Sequence, residues 1–152
     1  KINAEEISIR MTDVSEVVVR NENEYFVNTG SPHIVRMVED LNIDVIELGS
    51  GVRYSEEFEK EGTNVNFLTL LNDDESMVRT YERGVEGETL SCGTGVTACA
   101  IVMNHLSNSP AQKEIHALGG DLIVRFDRTA KGYENIWLCG PAEFVFKGDW
   151  MS

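Results

Sequence analysis

Glu88-Thr89-Leu90-Ser91-Cys92-Gly93-Thr94-Gly95 sets a thiol immediately ahead of an apolar run, Val96 to Leu106, that reads as a helix. The first N–H groups of a helix have no internal partner and carry the positive end of its dipole. An anion is stabilised at such a position, and a cysteine there is drawn toward its thiolate. The two glycines let a ligand come close to the backbone. One short segment thus offers a cradle for a carboxylate or phosphate and, in Cys92, a candidate base or nucleophile.

Tyr81-Glu82-Arg83-Gly84 lies just upstream, at the end of an expected strand. Arg83 can clamp a carboxylate with two parallel hydrogen bonds while the helix mouth holds another. Glu82 can orient the thiol or relay its proton; the plain alternative for the pair is a surface ion pair worth little. Asn64 and His33 sit at strand–turn junctions, where polar side chains commonly face ligands. For His33 alone, a satisfied structural histidine is the default. Cys99, inside the apolar helix, and Cys139, at the end of another expected strand, read as core residues.

Other motifs fail on context. Gly93-Thr94-Gly95-Val96-Thr97-Ala98 formally matches a dinucleotide fingerprint, but Gly87–Ser91 is polar where a buried strand should run into the first glycine. No Gly-Lys-Ser/Thr follows, which excludes a phosphate-binding P-loop. The three His and three Cys never approach zinc-ligand spacing, so no metal is expected.

The 152 residues suffice for one domain with a real core or for two small lobes. A net charge of −13, from 13 basic and 26 acidic residues, argues against nucleic acid and against an anionic membrane surface as partners. No apolar run approaches the length of a membrane span. Three cysteines at scattered spacing are no disulfide framework, so a reducing cytoplasm is the expected compartment. The chain starts at Lys1, close to an alternating strand pattern, which suggests a piece of something longer.

Strands are expected at Ile7–Met11, Val17–Arg20, Tyr25–Asn28, His33–Val38, Asn64–Leu71, Met77–Tyr81, Glu114–Leu118, Asp121–Phe126, Ile136–Cys139 and Glu143–Phe146. Gly119-Gly120 is expected to close a hairpin through a primed turn. Asp44 caps a short helix to Tyr54 that Gly49 and Gly51 interrupt, and Ser55–Gly62 reads as a solvated acidic turn. Apolar residues run nearly all round the helix after Gly93, the mark of a buried helix. The fold class is therefore α+β, a mixed β-sheet wrapped around one central buried helix, with Cys92 where that helix meets ligand or solvent.

Tyr81-Glu82-Arg83-Gly84-Val85-Glu86-Gly87-Glu88-Thr89-Leu90-Ser91-Cys92-Gly93-Thr94-Gly95 resembles the C-terminal cysteine motif of the diaminopimelate epimerases. Thr29-Gly30-Ser31-Pro32-His33 resembles that family's Gly-Asn-Pro-His segment, and Gly62-Thr63-Asn64-Val65-Asn66-Phe67 its Ala-Asn-Ile/Val segment, in the family's order. The resemblance implies one half of a pseudo-symmetric two-lobe fold. Residues 1–152 would be the C-terminal lobe, with 1–12 and 141–152 as strands of, or bordering, an absent N-terminal lobe. It implies that Cys92 is one of two thiols that move the substrate's α-proton from opposite faces, with no pyridoxal phosphate or other cofactor. Glu82 would assist Cys92, and His33 the second thiol. Gly93 and Thr94 would hold the α-carboxylate, and Asn64 and Arg83 the distal end of diaminopimelate. Ser31 stands where the family usually has Asn and would reach that end less directly. The loop Val85–Glu88 is one residue longer than the common form. Neither Cys99 nor Cys139 lies in a second helix-mouth motif, so this chain alone is expected to be inactive. The resemblance also admits a homodimer. The alternatives are another isomerase of the same fold, such as a proline racemase-like or phenazine-biosynthesis-like protein, and a non-catalytic anion-binding module.

Overall fold

A computed structural model describes residues 6–107, 111–142 and 145–149. Its strands are β1 (Glu6–Arg10), β2 (Val18–Asn21), β3 (Glu24–Asn28), β4 (Pro32–Met37), β5 (Asn64–Leu70), β6 (Glu75–Glu82), β7 (Gly87–Thr89), β8 (Gln112–Ala117), β9 (Gly120–Thr129) and β10 (Gly132–Pro141). The helices are α1 (Val45–Arg53) and α2 (Gly93–Ser107). The ten strands form one sheet in the order β1-β10-β9-β8-β6-β5-β4-β3-β2, with β7 hydrogen-bonded to β6 off this path.

Two pairs are parallel, β4 with β5 and β6 with β8; the others are antiparallel. Parallel neighbours need a long crossover. The chain supplies α1 for the first crossover and β7 with α2 for the second. The helices cover opposite faces of the central strands. Ile34, Val65, Phe67 and Tyr81 pack with Val45 of α1, whereas Val35, Leu68 and Val78 pack with α2. The period of two along each strand therefore sends alternate residues to different cores. A strand covered on both faces is buried throughout, and β5 is buried from Asn64 to Leu68.

The all-round apolar composition of α2 has its expected result: every residue from Gly95 to Asn104 is buried. In α1, the Asp44 carboxylate accepts from the Glu47 N–H at 2.9 Å, the expected N-cap. Gly49 does not interrupt this helix. It lets α1 lie directly on Tyr81, with which a Cβ at position 49 would collide. The expected solvated turn at 55–62 hides one anchor, Phe58, which packs beneath α1.

Three expectations are corrected. The polar stretch from Gly87 includes β7, whose Glu88 accepts from Arg79 at 2.6 Å through both carboxylate oxygens. The hairpin between β8 and β9 has Leu118 and Gly119 at its centre, and positive φ falls instead on Gly120, at 136°, so the turn is not primed. Val145 and Phe146 lie outside any strand and are exposed, while Glu143 and Phe144 lie outside the described residues. At the other end, β1 is an edge strand of this same sheet, paired with β10 from Glu6↔Pro141 to Arg10↔Trp137.

His116 ties three strands together, with Nδ1 2.7 Å from Asp121 of β9 and Nε2 2.8 Å from Glu75 of β6. Asp121 first, then Glu75, hold its pKa above the ordinary histidine value. A group whose pKa rises on folding stabilises fully below its unfolded value of about 6.5 and loses that contribution as pH climbs through the folded value. The Tm gap between the native chain and His116→Ala is therefore expected to be wider at about pH 6 than at about pH 9. A gap independent of pH would assign His116 to packing alone.

Candidate functional site

The carbonyl of Cys92 accepts the first helical hydrogen bond, from Val96 N–H at 2.8 Å, which makes Cys92 the N-cap of α2. Its sulfur lies 3.5 Å from the Thr94 hydroxyl and receives the backbone N–H groups of Gly95 and Thr94. In a cap, a side chain satisfies the orphan donors of the first turn; here a sulfur does so.

Strand alternation delivers the polar groups to the same place. His33 of β4, Asn64 and Asn66 of β5, and Thr80 and Glu82 of β6 share the α2 side of the sheet, at the end where α2 begins. Asn66 donates through Nδ2 to the Ile34 carbonyl at 3.0 Å and to His33 Nδ1 at 3.1 Å, and accepts from the Thr80 hydroxyl at 3.0 Å. Gly95 has no Cβ because one there would meet the Asn66 Oδ1. Thr29 is buried and donates to the Thr94 carbonyl at 3.1 Å. Sequence reasoning missed Asn66, Thr80 and Thr29. The readable signal was the pattern Asn64-Val65-Asn66-Phe67, two amides alternating with apolar residues in a strand buried on both faces.

All eight sequence-predicted residues come together around this helix mouth. Ser31 Oγ contacts His33 Nε2 at 2.9 Å, the Thr94 hydroxyl at 3.2 Å and Asn64 Nδ2 at 3.5 Å. Its hydroxyl thus has three polar partners within the protein. Asn64 accepts the Arg83 N–H at 2.9 Å and donates to the Pro32 carbonyl at 3.1 Å, so it braces the turn that carries Arg83. The Arg83 guanidinium donates to the Glu61 carbonyl at 2.7 Å and is half-buried. Glu82 accepts from the Thr89 hydroxyl at 2.8 Å and acts on Cys92 through its charge. Gly93 is the first residue of α2, and Leu138 packs against it. The longer loop has a structural use: Glu86, at φ 56°, accepts from Arg53, Tyr54 and Tyr81 and from the Gly84 N–H.

Electrostatics correct one expectation. A helix N-terminus should draw Cys92 toward thiolate, yet its pKa is raised. Burial is the largest cause, and the nearby Glu82 charge adds to it, against the Thr94 hydroxyl and the N–H groups of Gly95 and Thr94. Desolvation penalises the charged form more than the helix mouth favours it. His33 is fully buried and pushed down to about 3, by burial first and then by Arg83, so it is neutral at physiological pH. Cys99 is buried and unpaired with sulfur, as is Cys139, in line with their reading as core residues.

Other clusters are accounted for elsewhere. Glu114, His116 and Asp121 bring ligand atoms within 4.8 Å of one another, but Asp121 and Glu75 occupy both ring nitrogens of His116. A cavity of about 540 Å³ between Arg20, Phe26, Glu57, Phe58 and Gly62 contains none of the eight residues. No described helix is long and apolar enough to cross a membrane.

The model of the diaminopimelate epimerase family matches residues 25–145. The chain belongs to that family. Relatives that carry the family's name include one from Flavobacterium psychrophilum, 45% identical over 143 residues, which cover 93% of this chain and 56% of the relative. Another, from Archaeoglobus fulgidus, is 40% identical over 152 residues, covering 97% and 51%. One from Chlamydia trachomatis is 52% identical over 104 residues, covering 68% and 34%. The chain thus spans about half the length of the curated relatives it matches. Two solved structures share the fold at low identity. A probable proline racemase from Agrobacterium radiobacter has a TM-score of 0.65 at 14% identity, covering 97% of this chain and 54% of that one. A hydroxyproline epimerase from Agrobacterium vitis has a TM-score of 0.62 at 11% identity, covering 93% and 50%. The matched residues include the helix mouth just described, with Cys92 at the N-cap of α2.

Proposed function

We propose that this chain carries one of the two cysteine bases of a diaminopimelate epimerase that interconverts the LL and meso forms without pyridoxal phosphate, in the biosynthesis of lysine and peptidoglycan. The observation that carries this reading is the Cys92 sulfur itself, seated as the N-cap of α2 with a carboxylate, Glu82, acting on it from the adjoining strand.

The chemistry follows from that seat. An amino-acid α-proton is very weakly acidic, so its removal needs donors preorganised for the charge that develops on the carboxylate. The α2 mouth at Gly93 and Thr94 supplies such donors. The Cys92 thiolate takes the α-proton from one face, and its S–H forms as the C–H bond breaks. A second thiol, from the part of the protein beyond this chain, delivers a proton to the opposite face and is left as thiolate. Inversion needs two faces and therefore two groups. Arg83, braced by Asn64, faces the distal carboxylate. His33, neutral and buried, holds the turn at Ser31 and would assist the second thiol. A raised thiol pKa suits a group that must accept a proton and return it. A cytoplasmic setting would keep both thiols reduced.

The test is an assay in deuterated water with LL-diaminopimelate. The full-length protein is expected to place deuterium at the α-carbon, and the 152-residue chain alone to show no turnover. Robust turnover by the chain alone would overturn the one-base reading. Absence of exchange by the reduced full-length protein would overturn the isomerase reading.

A further inference from the structure

We infer that Ser31, which does not touch the thiol, is a positioning residue that orients the Thr94 hydroxyl as a donor to the Cys92 sulfur. The direction follows from groups that can act in one sense only. The Ile34 carbonyl can only accept, which fixes the Asn66 amide with Nδ2 toward it and toward His33 Nδ1. His33 Nδ1 is therefore an acceptor, and in a neutral ring the proton sits on Nε2. Nε2–H donates to Ser31 Oγ, 2.9 Å away. Asn64 is fixed in the same way, by the Pro32 carbonyl on Nδ2 and the Arg83 N–H on Oδ1, and its Nδ2 also points at Ser31 Oγ, at 3.5 Å.

A hydroxyl has two acceptor positions and one proton. With His33 and Asn64 donating to it, Ser31 must spend its proton on Thr94 Oγ1, 3.2 Å away. Thr94 Oγ1 then accepts from Ser31, and its own proton is directed at the Cys92 sulfur at 3.5 Å. The chain His33, Ser31, Thr94, Cys92 is thus polarised toward the sulfur from a buried, neutral origin. Its effect is to favour the thiolate. Glu82 on β6 opposes it, and Cys99 deeper in α2 is electrostatically coupled to Cys92, while Arg83 stands on the His33 side.

This deepens the epimerase reading and rests on it for its purpose, but the test titrates a thiol and needs no turnover. The rate of Cys92 alkylation is followed from pH 6 to 11 in the full-length protein by mass analysis of the Cys92 peptide, so that the other cysteines do not contribute. Ser31→Ala and Thr94→Val are each expected to move the profile to higher pH and slow alkylation roughly three- to tenfold on its rising limb, the scale of one hydrogen bond to a charged group. The double variant is expected to shift no further than Thr94→Val, and Ser31→Thr, which keeps a hydroxyl, to restore the native profile. A folded Ser31→Ala with the native profile would overturn the inference, as would shifts that add in the double variant. Thr94→Val leaves Ser31 intact and tests the last link independently; an unmoved profile there would overturn it too. The outcome is separate from the deuterium assay, because an inactive full-length protein would still report the thiol's pKa.

Discussion

Cys92→Ala in the full-length protein is expected to lower both epimerisation and α-deuterium exchange by roughly 10²- to 10⁴-fold, the range that a positioned acid–base group contributes. On the proposed reading the loss should fall on kcat, since the sulfur would meet the α-proton only as it moves, while Arg83 and the helix mouth would still hold the substrate. Folding is a separate matter, because Cys92 also caps α2. Cys92→Ser separates the two roles. Serine is among the preferred N-cap residues, so α2 should begin as firmly as before and the Tm should stay within a few degrees. Its hydroxyl is far too weak an acid to exist as the anion at neutral pH, so activity should fall nearly as far as with alanine. A Cys92→Ser protein with substantial activity would show that the sulfur is a cap and not a base.

Gly49→Ala is expected to destabilise the chain by about 2 kcal/mol or more, at the severe end of what overpacking costs. The added methyl would lie 2.5 Å from Tyr81 Cγ and 2.9 Å from Cδ2, with the ring's own Cβ closer still. Tyr81 is 2% exposed and cannot swing away, because its hydroxyl is tied to Glu86 at 3.2 Å and its strand is paired on both edges. Either α1 lifts off the sheet or β6 bends. A bent β6 would displace Glu82 and Arg83, the two residues that follow Tyr81. Thermal unfolding together with KM for diaminopimelate in the full-length protein reads both consequences. Gly51→Ala is the control: nothing lies within 4 Å of a Cβ there, and alanine is the better helix former, so stability should hold or rise. Equal Tm values for the two variants would refute this account of Gly49.

Much of the fold was legible because local rules sufficed. The apolar run after Gly93 could only be a buried helix, and the β-branched segments became strands close to their expected bounds. The misses have physical causes. β7 is three polar residues whose place in the sheet comes from pairing with β6 and from the two-pronged Arg79–Glu88 contact, neither visible in a local window. The turn at Leu118-Gly119 depends on strand register, which the Gly119-Gly120 pair alone does not set. Gly49 looked like a helix breaker, since propensity takes no account of a tyrosine from another element pressing on the helix face.

The thiol at the helix mouth, the glycines around it, the buried helix that follows and the resemblance to the family were legible in the amino-acid sequence, because each resides in a few consecutive residues whose conformation is local. Strands distant in sequence had to pair before Asn66, Thr80 and Thr29 could lie beneath the helix mouth and Ser31 could meet Thr94 across 63 positions of chain. The tertiary structure also decided the sign of the Cys92 pKa shift. Motif and helix dipole argued for a ready thiolate, but desolvation depends on everything packed around an atom, and that packing comes from strands far away in sequence.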